Sequence, residues 1–342
     1  MVTAFLSQLS VIVLYASLAV YAAAFISFAM DVAGRAVKVR AASDVTSAVA
    51  RRAESALARE AGAAGQAGSG HLATMTKTAN EVHEHITDVN FSRSQTVGMA
   101  LTVVALAFEL VADVLRGIAA GRVPWSDMYE FSMTGTVLIT IVFLIMAKRY
   151  NLRFLGVFIT GLVLVLMGIS VTRYYVAVVP LPPALQSYWL VIHVLVAMGA
   201  TGFFALGFAL SVAQLMQARR ETQIREKMPV TLRFLETLPG SNVLENLAYR
   251  VNITGFILWT FTLIAGAIWA EKAWGNYWGW DTKEVWTFII WVLYAGFIHA
   301  RATRGWRGSR SAWLAIVGFG AVMFNFGIVN VFFHGLHSYS GL

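Results

Sequence analysis

Aromatic and glycine residues are concentrated in one short stretch of this 342-residue chain, from position 274 to 286. Its sequence, Trp-Gly-Asn-Tyr-Trp-Gly-Trp-Asp-Thr-Lys-Glu-Val-Trp, holds four of the eleven tryptophans. Indole faces offer stacking area at low entropic cost, and glycine lets the backbone approach a ligand closely. The stretch therefore predicts a platform for a flat aromatic ligand, with Asn276 and Lys283 able to hold a carboxylate edge. The alternative is an aromatic belt at a membrane interface, which accounts for one or two tryptophans at a helix end but not for four.

Four of the seven histidines lie in or beside apolar stretches: His193, His299, His334 and His337. Histidine is uncommon within a membrane span and marks a candidate functional site. Two neutral imidazoles can ligate a porphyrin iron from opposite sides, and His193 and His337 suit that role. His334 lies three residues before His337 and could be the ligand in its place. Alternatively, each imidazole hydrogen-bonds a neighbouring helix.

For His299 and Glu130, the sequence leaves both a structural and a functional role open. His299 lies roughly 21 Å along its helix from Val285, so it cannot share an iron with His337. It serves either a second, deeper site or a structural hydrogen bond next to Arg301. Glu130 stands at the start of the third apolar stretch, where an ionised carboxylate is either paired or functional.

The composition predicts that these residues are positioned by membrane-spanning helices. The chain is 58% hydrophobic and 13% charged, and its mean hydropathy is +0.66. A soluble domain is about 45–50% apolar and about 25% charged, so soluble and disordered classes are excluded. Runs of about 20 apolar residues predict an all-α bundle of about eight transmembrane helices. The predicted spans are 5–30, 95–116, 131–147, 154–172, 187–216, 252–270, 286–302 and 311–333.

The chain contains no cysteine. This excludes disulfides, thiolate metal sites and cysteine nucleophiles. It also excludes covalent haem attachment to this chain, because that attachment needs a C-x-x-C-H motif.

The basic residues predict the orientation of the helices. Of the 26 Lys and Arg residues, 21 fall in alternate connections, which the positive-inside rule places in the cytoplasm. Both termini, the tryptophan stretch and His337 then lie on the outer face, and His193 lies roughly 9 Å below it. The positive net charge is thus explained by topology, and we expect no nucleic-acid partner.

We divide the chain into three parts: a first transmembrane helix (1–30), a cytoplasmic Ala-rich segment (31–94) and a transmembrane core (95–342). The Ala-rich segment is predicted to be helical, with a flexible Gly-rich linker at 62–70. The charged segment 218–250 is predicted to extend the fifth helix.

The ordered motifs resemble the WWD family of membrane proteins that handle haem in cytochrome c maturation. The tryptophan stretch resembles the WWD signature. It is accompanied by a loop ending in Tyr129-Glu130, by Gln-Ser-Tyr-Trp-Leu-Val-Ile-His at 186–193, and by Gly-Leu-His-Ser-Tyr at 335–339. The resemblance is to the CcsA/ResC branch of System II, called CcsB in actinobacteria, and covers roughly 95–342.

The resemblance implies that His193 and His337 are the external ligands of a haem iron. It implies that His299 belongs to an inner haem site, whose second histidine comes from a partner. The residues with an implied haem-facing role are Trp274, Gly275, Trp278, Trp280, Asp281 and Glu284. Further candidates for the same site are Tyr277, Trp286, Lys283, Glu130 and His334.

The family also implies a function. Haem b is bound as a substrate, delivered to the extracytoplasmic face and, with a ResB-type membrane partner, ligated through thioethers to the C-x-x-C-H of apocytochrome c. The chain would be one subunit of a cytochrome c synthase, with no catalytic acid or base of its own assigned. A thioredoxin-like protein would keep the apocytochrome thiols reduced. The location implied is a bacterial plasma membrane, or the thylakoid in a plastid.

Two other functions fit the sequence less well. A b-type electron-transfer cytochrome needs histidine pairs at matching depths, and it leaves the tryptophan stretch unexplained. A structural subunit or a transporter that binds no haem leaves the same stretch needing another ligand.

Overall fold

The computed structural model describes residues 2–61, 92–230, 233–303, 306–333 and 335–337. These residues form eight helices that are long and apolar enough to cross a membrane, as the sequence predicts. The helices are α1 (Val2–Ala61), α2 (Arg93–Ala120), α3 (Met128–Tyr150), α4 (Gly156–Ile169), α5 (Tyr188–Arg225), α6 (Ser241–Trp274), α7 (Thr282–Ala302) and α8 (Ser309–Phe324).

Short irregular turns extend two of these helices. A 3₁₀ turn (Leu152–Leu155) precedes α4, and a π-helical turn (Ser170–Tyr174) follows it. A second π-helical turn (Asn325–Val329) and a final turn (Asn330–Phe332) continue α8. π-Helical turns often occur at functional sites because they redirect side chains and free a backbone carbonyl.

Several helices are longer than the apolar runs that predict them. α3 begins after the N-cap residue Asp127 and still includes Lys148 and Arg149, because polar residues continue the helix beyond the apolar part. The fifth helix extends to Arg225, so only the first part of the charged segment 218–250 continues it as predicted. Residues 241–250 instead begin α6, because Gly240 precedes a new helix there. α1 continues past residue 30 to Ala61, so the first half of the Ala-rich segment is helical. The predicted linker at 62–70 lies outside the described residues.

The two ends of the bundle differ in character. The connections 121–127, 175–187 and 275–281 meet at one end together with 333 and 335–337, and we call it the tryptophan end. The described parts of the connections after α5 and after α7 lie at the other end, which we call the basic end. In the interior, α1 packs chiefly on α2, and α5 packs on α6, with α3 and α8 against α5.

A buried ion-pair network closes the tryptophan end beside α2 and α3. The fully buried Arg116 donates to Glu130 at 3.0 Å, and Arg122 donates to the second carboxylate oxygen at 2.6 Å. Arg116 also donates to the carbonyl of Val176 at 2.9 Å, which ties the α4–α5 connection to α2. Of the two roles open to Glu130, the structure therefore shows the paired one.

Removing the Glu130 carboxylate is expected to destabilise the bundle. The change Glu130→Ala leaves Arg116 buried without its counter-ion, which costs about 3–5 kcal/mol in comparable buried pairs. The thermal unfolding midpoint of the detergent-solubilised chain should fall clearly below that of Glu226→Ala, a change at an exposed position. Equal midpoints for the two variants would contradict a structural role for the pair.

Candidate functional site

A cavity of about 220 Å³ opens at the tryptophan end between α3, α5, α6, α7 and α8. Most of its wall is apolar, and a few polar side chains converge on it: His193, Lys283, Glu284 and His337. Apolar clefts with a small number of placed polar groups are the usual form of sites for organic ligands.

His193 lies in the second turn of α5 and faces α6. Its Nδ1 lies 3.0 Å from the carbonyl oxygen of Thr262. A carbonyl oxygen only accepts, so Nδ1 carries the proton and donates it. In the neutral imidazole Nε2 then keeps a free lone pair. Gly266 makes this approach possible, because a Cβ there would lie 2.7 Å from His193 Cε1 and 2.9 Å from Nδ1.

His337 is held by the loop between α6 and α7. Its Nδ1 lies 2.8 Å from Oδ2 of Asp281, and the hydrogen bond holds the pKa of that carboxyl below its usual range. The other oxygen of Asp281 accepts from the backbone N–H of Leu336 at 3.0 Å. A Cβ at Gly335 would overlap Asp281 Oδ1, so the contact between Asp281 and the segment 335–337 requires glycine at this position. As at His193, Nε2 has no hydrogen-bond partner among the described residues.

The buried indole of Trp269 brings the two imidazoles together. Its ring centroid lies 5.8 Å from that of His193 and 5.4 Å from that of His337. The Trp269 N–H donates to the carbonyl of Ala184 at 3.0 Å, which fixes the ring. The ring centroid of Trp274 lies 4.9 Å from that of His337, in an edge-to-face arrangement. Two histidines that are 144 positions apart in sequence therefore share one aromatic wall.

The loop between α6 and α7 is held in shape by its own polar groups. Glu284 accepts from the backbone N–H groups of Gly279 at 2.8 Å and Asp281 at 3.1 Å, and with Asp281 it forms a capping box at the start of α7. Trp278 lines the cavity, whereas Trp280 has a left-handed φ of 57° and is 78% exposed. The loop thus presents one tryptophan to the cavity and another to the outside.

Lys283 lies on the cavity wall in the first turn of α7. Its ammonium donates to the carbonyl of Asn325 at 2.9 Å and to Oδ1 of Asn330 at 2.8 Å. Both acceptors belong to the irregular turns that end the α8 span.

Not all predicted site residues line this cavity. Trp286 packs on Phe324 in the bundle, and Glu130 belongs to the ion-pair network. Gly275, with φ +79°, ends α6 and initiates the loop. Tyr277 lines the cavity mouth but is 64% exposed. His334 lies outside the described residues.

His299 lies far from the cavity, near the basic end of α7. The buried residues of this helix are spaced along one face: Glu284, Ile290, Tyr294, Phe297 and Arg301. His299 falls off that face and is exposed. Among the described residues its side chain has no hydrogen-bond or ion-pair partner. The intramembrane imidazole thus faces outward from the bundle.

Several cavity residues were missed from the sequence. In the sequence, Trp269 cannot be told from a tryptophan at the membrane interface. Only its tertiary contacts show that it lies between the two histidines. Trp125 and Asn330 also line the cavity. The sequence did carry a signal for each of them: Trp125 lies in the loop that ends in Tyr129-Glu130, and Asn330 is an asparagine within an apolar span.

The segment from Trp125 to His337 matches the sequence model of the cytochrome c assembly protein family. The chain belongs to this family. The curated relatives include a protein of Prochlorococcus marinus, 36% identical over 69% of this chain and 80% of the relative. Others come from Synechococcus elongatus (34% identical; 71% and 86% covered) and Chlorella vulgaris (32%; 74% and 88%). All three are named cytochrome c biogenesis protein CcsA.

The family match and the cavity cover the same part of the chain. The first and last cavity-lining residues, Trp125 and His337, are also the ends of the matched segment. α1 and α2 lie outside this segment and pack on each other beside the cytochrome c assembly core.

Asp127 at the cavity mouth should produce a pH-dependent stability. Its Oδ1 caps α3 by accepting from the Glu130 N–H at 2.9 Å, while burial, with the neighbouring Glu130 charge, raises the pKa of Asp127 to about 6. Between pH ~4 and 6 the folded state keeps a proton that the unfolded chain, with an Asp pKa of about 3.9, has released. Stability attributable to this residue therefore falls as the pH rises through that range.

The variant Asp127→Asn keeps a capping side chain but cannot ionise. Its unfolding midpoint in detergent should depend less on pH between about 4 and 6 than that of the wild type. Because other carboxyls titrate in the same range, the test is the difference between the two pH profiles. Parallel profiles would contradict a raised pKa at this position.

Proposed function

We propose that this member of the cytochrome c assembly family binds haem as a substrate in the cavity, with the iron between Nε2 of His193 and Nε2 of His337. One observation carries the proposal: both imidazoles have Nδ1 engaged and Nε2 free beside a shared aromatic wall. Histidines that ligate metals usually donate their other N–H to a carbonyl or a carboxylate. Thr262 and Asp281 supply these two acceptors.

The donor set fits haem better than a bare ion. Within the described part of the chain, no group of three or more His, Asp or Glu side chains is placed to hold a metal ion. A porphyrin brings four nitrogen ligands of its own, so two imidazoles complete the coordination. The surrounding indole rings supply stacking area for a flat macrocycle.

This chain acts in cytochrome c maturation, as the names of its relatives indicate. Within that process we propose that it presents haem b to apocytochrome c. Each thioether forms when a thiol adds across a vinyl group, so that sulfur bonds to one carbon and hydrogen to the other. Both thiols come from the C-x-x-C-H of the substrate, because this chain has no cysteine. A thioredoxin-like protein would keep those thiols reduced.

The size of the cavity favours presentation at the surface. Clefts that enclose organic ligands are typically about 300–1,000 Å³, whereas this one is about 220 Å³. We therefore infer that one edge of the macrocycle lies at the open mouth, against Tyr277 and Trp278. An apocytochrome could approach the vinyl groups at that edge, while positioning by the chain would lower the barrier.

We further propose that the tryptophan end faces outward and the basic end the cytoplasm, in a bacterial plasma or thylakoid membrane. The excess of Lys and Arg at the basic end supports this orientation. His299 would serve an inner haem site near that end. Because its side chain is exposed and faces outward from the bundle, the second ligand would come from a ResB-type partner. Haem would then pass from the inner to the outer site.

The ligand assignment predicts the effect of removing either imidazole. The full-length chain should give a six-coordinate low-spin b-type spectrum when loaded with haem. His193→Ala or His337→Ala should lower haem affinity by at least tenfold, and added imidazole should restore the low-spin spectrum. In the chain purified without a ResB-type partner the inner site lacks its second ligand, so His299→Ala, which removes an intramembrane histidine outside this cavity, is the matched control. An unchanged spectrum in the His193→Ala/His337→Ala double variant would contradict the assignment.

Gly266 gives a subtler test of the same geometry. In Gly266→Ala the new methyl group meets the His193 ring, so the imidazole must move away from the Thr262 carbonyl. Loss of this orienting bond is expected to weaken haem binding about 10–100-fold. Gly199→Ala on α5, where a Cβ meets nothing within 4 Å, is the control. Alanine favours helix at both positions, so similar affinities in the two variants would count against the proposed orientation.

A further inference from the structure

The Lys283 ammonium is held on the cavity wall by neutral acceptors. Its ammonium has three N–H donors, and the carbonyl of Asn325 and the side chain of Asn330 accept two of them. Both acceptors are neutral. Lys283 forms no ion pair among the residues that the structure describes. One N–H donor therefore remains for another partner.

The position of Lys283 in α7 does not favour the stability of the helix. Lys283 lies in the first turn of α7, where the helix dipole disfavours a cation. Both asparagines that hold the ammonium line the same cavity as His193 and His337. The fold thus fixes a cation on the wall of the ligand site, at a cost to the helix.

We propose that the Lys283 ammonium binds a carboxylate on the edge of the cavity ligand, which for haem is a propionate. This inference rests on the proposed function. A charge-assisted hydrogen bond in a largely apolar cavity is strong and directional. Haem carries its carboxylates on one edge, so a single cation can distinguish that edge from the apolar remainder.

The consequence is a defined rotation of the macrocycle. Two axial imidazoles fix the iron but leave the porphyrin free to turn about the axis that joins them. A salt bridge to one propionate removes that freedom and sets which edge reaches the cavity mouth. Because the propionates and the vinyl groups occupy different parts of the ring, Lys283 would determine which vinyl groups an apocytochrome can reach. Lys283 is thus a positioning residue.

A purely structural role for Lys283 makes a different prediction. The ammonium links α7 to the π-helical turn of α8, and this link alone could explain its hydrogen bonds. Asn330→Leu removes one acceptor and weakens the link but keeps the charge. Lys283→Met removes both the link and the charge. Comparison of these two variants separates the roles.

The experiment compares two ligands on the full-length chain purified without haem. Iron protoporphyrin IX has free propionates, whereas its dimethyl ester has none. The wild type should bind the free acid at least tenfold more tightly than the ester, a ratio in the range expected for a hydrogen bond to a charged group. Lys283→Met should bring the ratio close to one, whereas Lys283→Arg and Asn330→Leu should keep most of it. The His193→Ala/His337→Ala variant gives the non-specific uptake of each ligand.

Each contrary outcome has a distinct meaning. If the wild type binds acid and ester equally and both give the bis-histidine spectrum, Lys283 does not bind a propionate, while the proposed function stands. If Asn330→Leu loses the preference as fully as Lys283→Met, the lysine acts as a structural link. If neither ligand gives a bis-histidine spectrum in the wild type, the proposed function fails, and this inference fails with it.

Discussion

The two cavity imidazoles are oriented by oxygen atoms that accept from Nδ1, and the whole candidate site depends on those two hydrogen bonds. Thr262 supplies a helix carbonyl on α6, and Asp281 supplies a carboxylate in the loop that follows that helix. Each contact requires a glycine, Gly266 in one case and Gly335 in the other, because a side chain at either position would occupy the space of the interacting group. The ring nitrogens left free are those that can bind iron, and Trp269 keeps both rings on one wall.

The remainder of the bundle supports this arrangement by satisfying the polar groups that an apolar environment would penalise. Glu130 and two arginines form a buried network that joins α2, α3 and the α4–α5 connection. Glu284 holds the backbone of the tryptophan loop, and the π-helical turn after α8 provides an acceptor for Lys283. The irregular backbone of the α8 span therefore lies where it lines the cavity and serves a charged side chain, which is where irregular backbone is tolerated at membrane depth.

Hydropathy and charge distribution were sufficient to predict eight helices, because each apolar run reaches the range of about 17–25 residues that a span needs and is separated from the next by polar residues. The same patterns indicated that His193, Trp278 and His337 meet at one end. These patterns did not indicate which side chains of the tryptophan loop point into the cavity. Asp281 was expected to face the ligand, whereas it orients His337, and Trp280 points outward. Trp269 could not be distinguished from an interfacial tryptophan, since its role depends on contacts between residues far apart in sequence. The role of Gly266 depends on a helix–helix distance that no sequence pattern reveals.

The central claim is that Nε2 of His193 and Nε2 of His337 are the axial ligands of a haem held at the tryptophan end. Electron paramagnetic resonance of the full-length chain, purified without its membrane partner and loaded with ferric haem, reports the axial ligands directly. The account predicts a low-spin bis-imidazole signal that becomes high-spin in His193→Ala and in His337→Ala and remains unchanged in His299→Ala. A bis-imidazole signal that survives in both cavity variants and disappears in His299→Ala would contradict it, because the iron would then be held near the basic end.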